Sequence, residues 1–401
     1  MSTVPEPRIE VDQLLIDERQ LVKGTSLGQD AWRRLKRNRV AMLSMVVLAL
    51  VGLLAFFTPL LPLQPPDRDQ TALQYAEPQW FPVFQESLAL TTKDLEQATQ
   101  TLATIRGRIA AATDVKERER LENQLDDAVQ APYRNAGFPE LGPLSRAMVR
   151  ARLALFGQWE VGSIFGRDLL GRDLLSRVFW GARVSLVVGI VATLVSLVIG
   201  VSYGAISGYA GGWVDDAMMR LVDILYSVPF IFVVIFLITI LDQEDIKAWR
   251  EAWGIDRITI FYLVVGAIYW LTMARVVRGQ VLSLKHDLFV EAARALGVRQ
   301  RAIIFRHIVP NLFSVVIVYL TLTIPRVMLF EAFLSFLGLG VEPPNVSWGL
   351  LANEGIKVIT PIKTYWWLIV YPSLAMGITL FALNFLGDGM RDALDPKLKN
   401  R

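Results

Sequence analysis

Residues 291–311, EAARALGVRQRAIIFRHIVPN, form a charged amphipathic stretch between two hydrophobic runs. Apolar residues in and just before it recur at the spacing of one helix face, at Leu288, Ala292, Ala295 and Leu296. Gly297 interrupts this pattern as a helix C-cap or sharp turn would. Pro310 ends a second short helix or sits in the first turn of the next one. The stretch predicts two short helices joined by a rigid turn on a membrane surface.

This stretch resembles the EAA loop of the permease subunits of bacterial ABC importers. The residues that match the loop's pattern are Glu291, Ala292, Ala293, Gly297 and Pro310. Two positions depart mildly, because Val309 replaces the usual Leu before the proline and His307 replaces the usual Ile. In that family the loop docks on a cytosolic ATPase, so the resemblance implies an ATPase-coupling loop. A basic amphipathic loop that only covers the membrane surface is the alternative.

The composition excludes a soluble globular domain, since 53% of the 401 residues are hydrophobic and several long runs carry no charge. The chain has no cysteine, which excludes a disulfide framework and thiol chemistry. Acidic and polar residues fill 6–30 without an early apolar core, so no cleavable signal peptide is expected. The first apolar run is therefore predicted to be an uncleaved anchor.

Six apolar runs predict six transmembrane helices, each long enough to cross about 30 Å of hydrocarbon. They lie near 41–61, 184–214, 224–241, 258–277, 312–334 and 365–387. The third is expected to kink near Pro229, after an amphipathic interfacial segment at 209–224. Small residues recur every four positions in the second run, at Ser196, Gly200, Gly204 and Gly208. This spacing predicts close helix packing along one face.

The distribution of basic residues predicts the orientation. Five of them lie at 33–39, just before the first run, and favour a cytoplasmic N-terminus. Six spans then return the C-terminus and the EAA-like loop to the cytoplasm. One observation opposes this orientation, because four arginines fall outside by parity, at positions 167, 172, 177 and 183. The resemblance places the protein in the bacterial cytoplasmic (inner) membrane, with both termini cytoplasmic.

The predicted fold class is an all-α membrane protein with six transmembrane helices and an extracytoplasmic helical hairpin between spans 1 and 2. The parts are a cytoplasmic N-terminal segment (1–39), the first transmembrane helix (40–61), an extracytoplasmic insertion (62–160), a five-helix permease core (161–387) with the EAA-like loop (285–311), and a cytoplasmic tail (388–401). Within the insertion, heptad-like apolar residues predict the hairpin over 92–130. They are Leu95, Leu102, Ile105 and Ile109, then Leu121, Leu125 and Val129.

A second signature, FGRDLLGRDLLSR, occupies 165–177. It resembles the GTD-xx-GRD-xx-SR signature of dipeptide, oligopeptide and nickel importer permeases. Two later stretches, EAFLSFLGLG at 331–340 and GDGMRDALDP at 387–396, resemble the C-type subunit of that group. The matching residues are Gly171, Arg172, Asp173, Ser176 and Arg177, whereas Arg167 replaces the usual Thr. The Arg–Asp pairs are suited to capping a helix and pinning an outer loop at the membrane entrance. A purely structural ion-pair network is the alternative.

The resemblance implies a permease subunit of an ATP-driven importer that works by alternating access on oligopeptides or dipeptides. Its implied partners are a homologous permease subunit, two cytosolic ATPase subunits, an extracytoplasmic solute-binding protein and membrane lipid, with no nucleic acid. Nickel or another small solute is the alternative substrate, because peptide and nickel permeases share these motifs.

No catalytic residue, metal site or cofactor is expected in this chain. The phosphate loop GxxxxGK[ST] is absent from the sequence, so ATP and Mg are expected on the partner ATPase subunits. A formal GxSxG surrounds Ser202, but it lies inside an apolar run rather than the strand–turn–helix of a hydrolase. An intramembrane hydrolase is therefore a remote alternative.

Two charged residues interrupt the fifth run, Arg326 and Glu331. Charges at that depth are costly unless they face protein or water. Arg326 is expected to line the translocation pathway, where it would meet a peptide carboxylate or an acidic residue of the partner permease. The alternative is that it snorkels to the interface or pairs within the bundle. Glu331 is a second pathway candidate, and it is also the carboxylate that a proton-coupled secondary transporter would use.

Overall fold

A computed structural model describes residues 27–79, 83–86, 90–162, 164–241, 243–246 and 257–394. Parts of the predicted N-terminal segment (1–26) and tail (395–401) lie outside the described residues. The helices are α1 (Leu27–Arg37), α2 (Arg39–Phe57), α3 (Thr92–Ala111), α4 (Val115–Asn135), α5 (Pro143–Phe156), α6 (Leu174–Ala210), α7 (Gly212–Ser227), α8 (Phe230–Leu241), α9 (Arg257–Leu284), α10 (Leu288–Ala295), α11 (Gln300–Ala302), α12 (Val309–Asn311), α13 (Phe313–Phe336), α14 (Trp348–Lys357) and α15 (Trp367–Leu394). A π-helix covers Ile303–Ile308, and short 3₁₀ helices cover Thr58–Leu60 and Thr71–Leu73. The strands β1 (Val83–Glu86) and β2 (Trp159–Gly162) pair antiparallel.

The membrane-spanning part is helical, which confirms the predicted all-α membrane fold. Among the described residues, five helices are long and apolar enough to cross a membrane, and these are α2, α6, α9, α13 and α15. A sixth span is present if the bent pair of α7 and α8 is one crossing.

The third span is broken far more sharply than the predicted kink. α7 and the start of α8 meet at 82°. Pro229 has no backbone N–H to donate, and it disfavours helical geometry at Val228, whose φ of −82° and ψ of 126° are extended. The 12 residues of α8 reach only about 18 Å, too short to cross the hydrocarbon alone. The prediction of one kinked helix over 224–241 is therefore wrong, since its first residues belong to α7.

Helix α6 is the centre of the bundle and packs most extensively against α9. The contact is close because glycines of α6 face the backbone of α9. A Cβ atom added at Gly200 would lie 2.6 Å from Cβ of Met273, and one at Gly208 would lie 2.9 Å from the carbonyl oxygen of Arg278. The predicted stripe of small residues is therefore confirmed as a helix-packing face.

The EAA-like loop and both described ends of the chain lie at the same end of the bundle. Nζ of Lys285 donates to the carbonyl of Gly208 at 3.2 Å, which puts the loop beside the end of α6. At the opposite end, Nε1 of Trp367 donates to the carbonyl of Arg167 at 3.3 Å, so α15 begins where α6 begins. The last turns of α15 therefore return to the loop end, where α1 and the start of α2 pack against them.

The segment between α2 and α6 contains a pair of helices, α3 and α4, that contact each other along their length. The apolar residues of the predicted stripes are the half-buried or buried positions of the pair, and Leu121 is 3% exposed. A capping box between Thr91 and Asp94 starts α3. Pro132 does not end α4, which continues to Asn135. The sequence did not predict α5 or the two-stranded ribbon.

The glycine packing predicts opposite effects of the same substitution at two sites. Alanine favours a helix over glycine by about 1 kcal/mol, but overpacking costs about 1–3 kcal/mol. Gly200→Ala places a methyl group against α9, so the melting temperature in detergent should fall. Gly279→Ala on α9 is the matched control, because nothing lies within 4 Å of a Cβ there, and it should preserve or raise that temperature. Equal shifts of both variants would contradict the packing role of Gly200.

Candidate functional site

The EAA-like loop consists of α10, a glycine turn, α11 and the π-helix that leads to α12. The turn is a Schellman motif, in which the N–H of Gly297 donates to the carbonyl of Arg294 and the N–H of Val298 donates to that of Ala293, at 3.0 and 3.1 Å. Gly297 has a φ of +72°, which disfavours any side chain with a Cβ. No atom lies within 4 Å of a Cβ built at Gly297, so the chain itself leaves that position open.

The two faces of α10 differ in burial. Val290 and Ala293 are buried against the isoleucines of the π-helix and the ends of α6 and α9 nearest the loop. The predicted apolar stripe points the other way, because Leu288 is 84% exposed and Leu296 is 82% exposed. Helix α10 thus exposes two large apolar side chains on one face and packs against the bundle through the other.

The structure places the motif residues of the loop in different environments. Glu291 and Ala292 are exposed, and Ala293 is buried. Pro310 is exposed in the first turn of α12. The small side chain of Ala293 lets α10 sit close to the bundle, while Glu291 remains available to a partner.

An ion pair fixes the bundle next to the loop. Asp215 of α7 accepts from Nε and Nη2 of Arg278, each at 2.6 Å, and also from the hydroxyl of Ser207. Asp215 is buried, so this bidentate pair ties α7 to α9 with Ser207 of α6 joining them. Sequence reasoning missed the pair, because no local pattern connects residues 63 positions apart.

The second signature forms a buried ion-pair cluster at the opposite end of the bundle. Asp168 accepts from Nε of Arg172 at 2.8 Å and from Nη1 of Arg177 at 2.6 Å. Arg177 also donates to Glu354 of α14 at 2.6 and 3.2 Å, and Arg172 donates to Asp67 at 2.7 Å. The cluster therefore joins the segment after α2, the start of α6 and α14.

The acidic side chains of the cluster offset the cost of burying its arginines. Burial by itself lowers the pKa of the Arg172 guanidinium, but the charge and hydrogen bond of Asp168 outweigh it, so this pKa is raised above that of ordinary arginine. Arg172 thus stays charged in its buried position.

The remaining signature residues shape the backbone. Asp173 caps α6 by accepting from the N–H of Ser176 at 2.8 Å. The hydroxyl of Ser176 donates to the carbonyl of Gln64. Gly171 has a φ of +74°, and a Cβ there would collide with the carbonyl of Gln70. Arg167, the departure from the family pattern, donates to the side-chain amide oxygen of Gln70 and to the backbone carbonyl of Gly171, both at 2.8 Å.

The two charged residues of α13 have opposite environments. Arg326 is exposed and lines a cavity of about 200 Å³ between α7, α9 and α13. Glu331 is only 1% exposed, and its carboxylate accepts from the hydroxyl of Ser335 at 2.7 Å. Glu331 therefore does not line the cavity of Arg326, because five residues along a helix turn it about 140° away from Arg326 and into the bundle.

The structure gives no support to hydrolase or metal chemistry. Ser202 lies within the continuous helix α6, without the strand–turn–helix geometry of a nucleophile elbow. Within the described part of the chain, no group of three or more His, Asp or Glu side chains is arranged to hold a metal ion.

Residues 200–400 match the family model described as the binding-protein-dependent transport system inner membrane component. The match covers the loop, the cavity helices and half of the chain. The chain belongs to this permease family. Residues 26–78 of the permease also match the N-terminal TM domain of oligopeptide transport permease C.

Curated relatives of the permease carry peptide-transport names. It is 48% identical to the oligopeptide transport system permease protein OppC of Haemophilus influenzae over 233 residues, which is 58% of this chain and 70% of the relative. It is 46% identical over 238 residues to OppC of Escherichia coli, covering 59% and 74% of the two chains. The dipeptide transport system permease protein DppC of Lactococcus lactis is 32% identical over 376 residues, covering 93% and 91%. Most of the segment 62–160 therefore falls within that last alignment.

The buried ion-pair cluster of Asp168 predicts a large stability loss for one small substitution. Asp168→Asn leaves two buried guanidinium groups short of a charge partner, which costs about 3–5 kcal/mol. The melting temperature of the permease in detergent should fall sharply. Asp127→Asn is the matched control, because Asp127 pairs with Arg134 at 3.0 Å on an exposed surface, where ion pairs contribute about 0–1 kcal/mol. A small effect of Asp168→Asn would show that the cluster is not structural.

Proposed function

We propose that this permease forms half of the translocation pathway of an ATP-driven importer of oligopeptides or dipeptides. The peptide class is supported by the names of the relatives, of which two are oligopeptide permeases and one a dipeptide permease. The motifs are shared with nickel permeases, but none of the three relatives named above is a nickel permease. A proton-coupled transporter would need an accessible carboxylate, whereas Glu331 is buried.

The proposed complex contains a homologous permease subunit, two cytosolic ATPase subunits and an extracytoplasmic binding protein. ATP and Mg bind to the ATPase subunits, and this chain performs no bond chemistry. The supporting observation is the exposed face of α10. Leu288 and Leu296 are 84% and 82% exposed, and their burial in a groove on an ATPase would contribute about 1.5–3 kcal/mol each.

Motion of the ATPase reaches the pathway through short, rigid connections. α9 leads within a few residues into α10, and Lys285 holds that junction to the end of α6. The Asp215–Arg278 pair holds α7 to the same place. A displacement of α10 therefore moves α6, α7 and α9 together, and two of these helices, α7 and α9, line the cavity of Arg326. This is the alternating-access step that we assign to the chain.

We propose that the loop end of the bundle faces the cytoplasm. The five basic residues at 33–39 lie at that end, as do the arginines of the loop. The arginines that opposed this orientation are weak counter-evidence, because Arg172 and Arg177 are buried in ion pairs and are not free surface charge. The helices α3 and α4 then lie outside the membrane, where they are placed to contact the binding protein or the partner permease.

The orientation predicts the labelling of two single cysteines in this cysteine-free chain. Gln97 on α3 and Gln300 on α11 are both exposed, so neither Cys variant should disturb packing. In intact cells permeable only through the outer membrane, an impermeant thiol reagent should label Gln97→Cys and spare Gln300→Cys until the membrane is lysed. Labelling of Gln300→Cys before lysis would invert the proposed topology.

The coupling surface predicts a variant that is stable but uncoupled. Leu288→Ser with Leu296→Ser should leave the melting temperature nearly unchanged, because exposed positions shift stability by no more than about 0.5 kcal/mol. ATP-driven uptake by the assembled complex should fall about tenfold or more, since two anchors of the docking surface are lost. Ile362→Ser is the control, at a residue 97% exposed near the opposite end of the bundle, and uptake should stay normal.

The glycine turn gives a second measurement on the same surface. Gly297→Val is strained at a φ of +72°, whereas Gly297→Asn is tolerated there, so Val should reduce uptake much more than Asn. Normal uptake in both the serine and the valine variants, at normal expression, would remove α10 from the mechanism.

A further inference from the structure

The cavity beside Arg326 has one strong charge and no opposing one. Its polar lining residues are Arg326, Tyr226, Tyr269, Tyr319, Thr272 and Thr323. The other lining residues are apolar, and no carboxylate of the described residues lines the cavity. The cavity therefore presents a guanidinium and hydroxyl groups within aromatic and aliphatic walls.

Arg326 lies deep in the membrane-spanning region. It is 13 residues from the start of α13, which corresponds to about 20 Å of helix, and about 15 Å of helix remain on its other side. Within the described residues no carboxylate forms an ion pair with Arg326, whereas Arg275 and Arg278 pair with Asp223 and Asp215 at 2.7 and 2.6 Å. A guanidinium at this depth without a counter-charge is costly unless water or a ligand supplies one.

The neighbouring side chains hold the cavity open and leave the guanidinium available. The phenol of Tyr269 donates to the backbone carbonyl of Arg326 at 3.1 Å, which fixes α9 against α13 at this level. The hydroxyls of Tyr226 and Thr272 lie 3.3 Å apart. Glu331 cannot neutralise Arg326, because its carboxylate is buried beside Ser335 on another face of α13.

We infer that this cavity is a binding subsite for the C-terminal carboxylate of a peptide in transit, an inference that rests on the proposed function. A guanidinium is charged at every physiological pH and pairs with a carboxylate through two parallel hydrogen bonds. The apolar and aromatic walls receive the side chain of the terminal residue. The cavity of about 200 Å³ is large enough to receive the end of a peptide chain.

The test is uptake by the assembled complex in vesicles with three peptides: trialanine, trialanine amide, and the amide of Ala-Asp-Ala. The variants are Arg326→Met and Arg326→Lys, with Arg220→Met as the control because Arg220 is exposed and lies outside this cavity. Arg326→Met should lower uptake of trialanine about tenfold or more and leave trialanine amide unchanged. Arg326→Lys should restore part of the loss, and Arg220→Met should match the unmodified protein with all three peptides.

Other outcomes overturn the inference, and they separate it from the proposed function. An equal fall for all three peptides, with assembly intact, would mean that Arg326 pairs with an acidic residue of the partner permease. A selective fall for the Asp-containing amide would assign the subsite to a side-chain carboxylate. If the Arg326→Met complex does not assemble, the Arg326→Lys variant provides the test. An unchanged ratio of trialanine uptake to trialanine amide uptake in that variant would overturn the inference. Failure of the unmodified complex to take up any of the peptides would refute the proposed function itself.

Discussion

The ion pairs of Asp168 determine how the end of this permease opposite the EAA-like loop is assembled. One carboxylate accepts from two buried arginines, and those arginines reach Glu354 on α14 and Asp67 after the first span. Buried charges of this kind are stable only as a complete set, because removal of any member leaves its partners without compensation. The cluster thereby fixes the relative positions of three segments that are distant in sequence, and the start of α6 is set by it.

Helix α6 extends from this cluster to the opposite end of the molecule. Its 37 residues extend about 55 Å, well beyond the thickness of a bilayer. It begins in the ion-pair cluster and ends beside the EAA-like loop, and glycines hold it against α9 along the way. Packed helices move as rigid bodies, since interiors are too dense for gradual deformation. A single continuous helix therefore connects the EAA-like loop with the ion-pair cluster at the opposite end of the bundle.

Local patterns predicted the parts of this architecture that local forces determine. The apolar runs, the Gly297 turn and the stripes of α3 and α4 depend on residues within a few turns of each other. The kink near Pro229 was predicted but its angle of 82° was not, and the helix α5 was not predicted at all. Tertiary packing decides how far a proline bends a chain and whether a weak pattern becomes a helix. The partners Glu354 and Asp215 were missed for a related reason, as no spacing rule connects them with Arg177 and Arg278.

The candidate sites show the same difference between what local sequence patterns predict and what tertiary packing decides. The sequence identified α10 but not which of its faces is free, and the structure buries Val290 and Ala293 while it exposes the leucines. It placed Arg326 and Glu331 in one pathway, although only the first lines a cavity. Helical spacing gives relative directions, but it does not say which direction is the interior.

The exposed leucines of α10 make the subunit prone to aggregation and degradation before it joins a complex. A free subunit would present two bare apolar side chains to the aqueous phase, and such patches promote aggregation and are bound by chaperones and quality-control proteases. Under the proposed function, the surface that docks on the ATPase also exposes an unassembled subunit to degradation. Cells would then need balanced synthesis of the subunits, and an excess of this chain over the proposed ATPase is expected to be degraded.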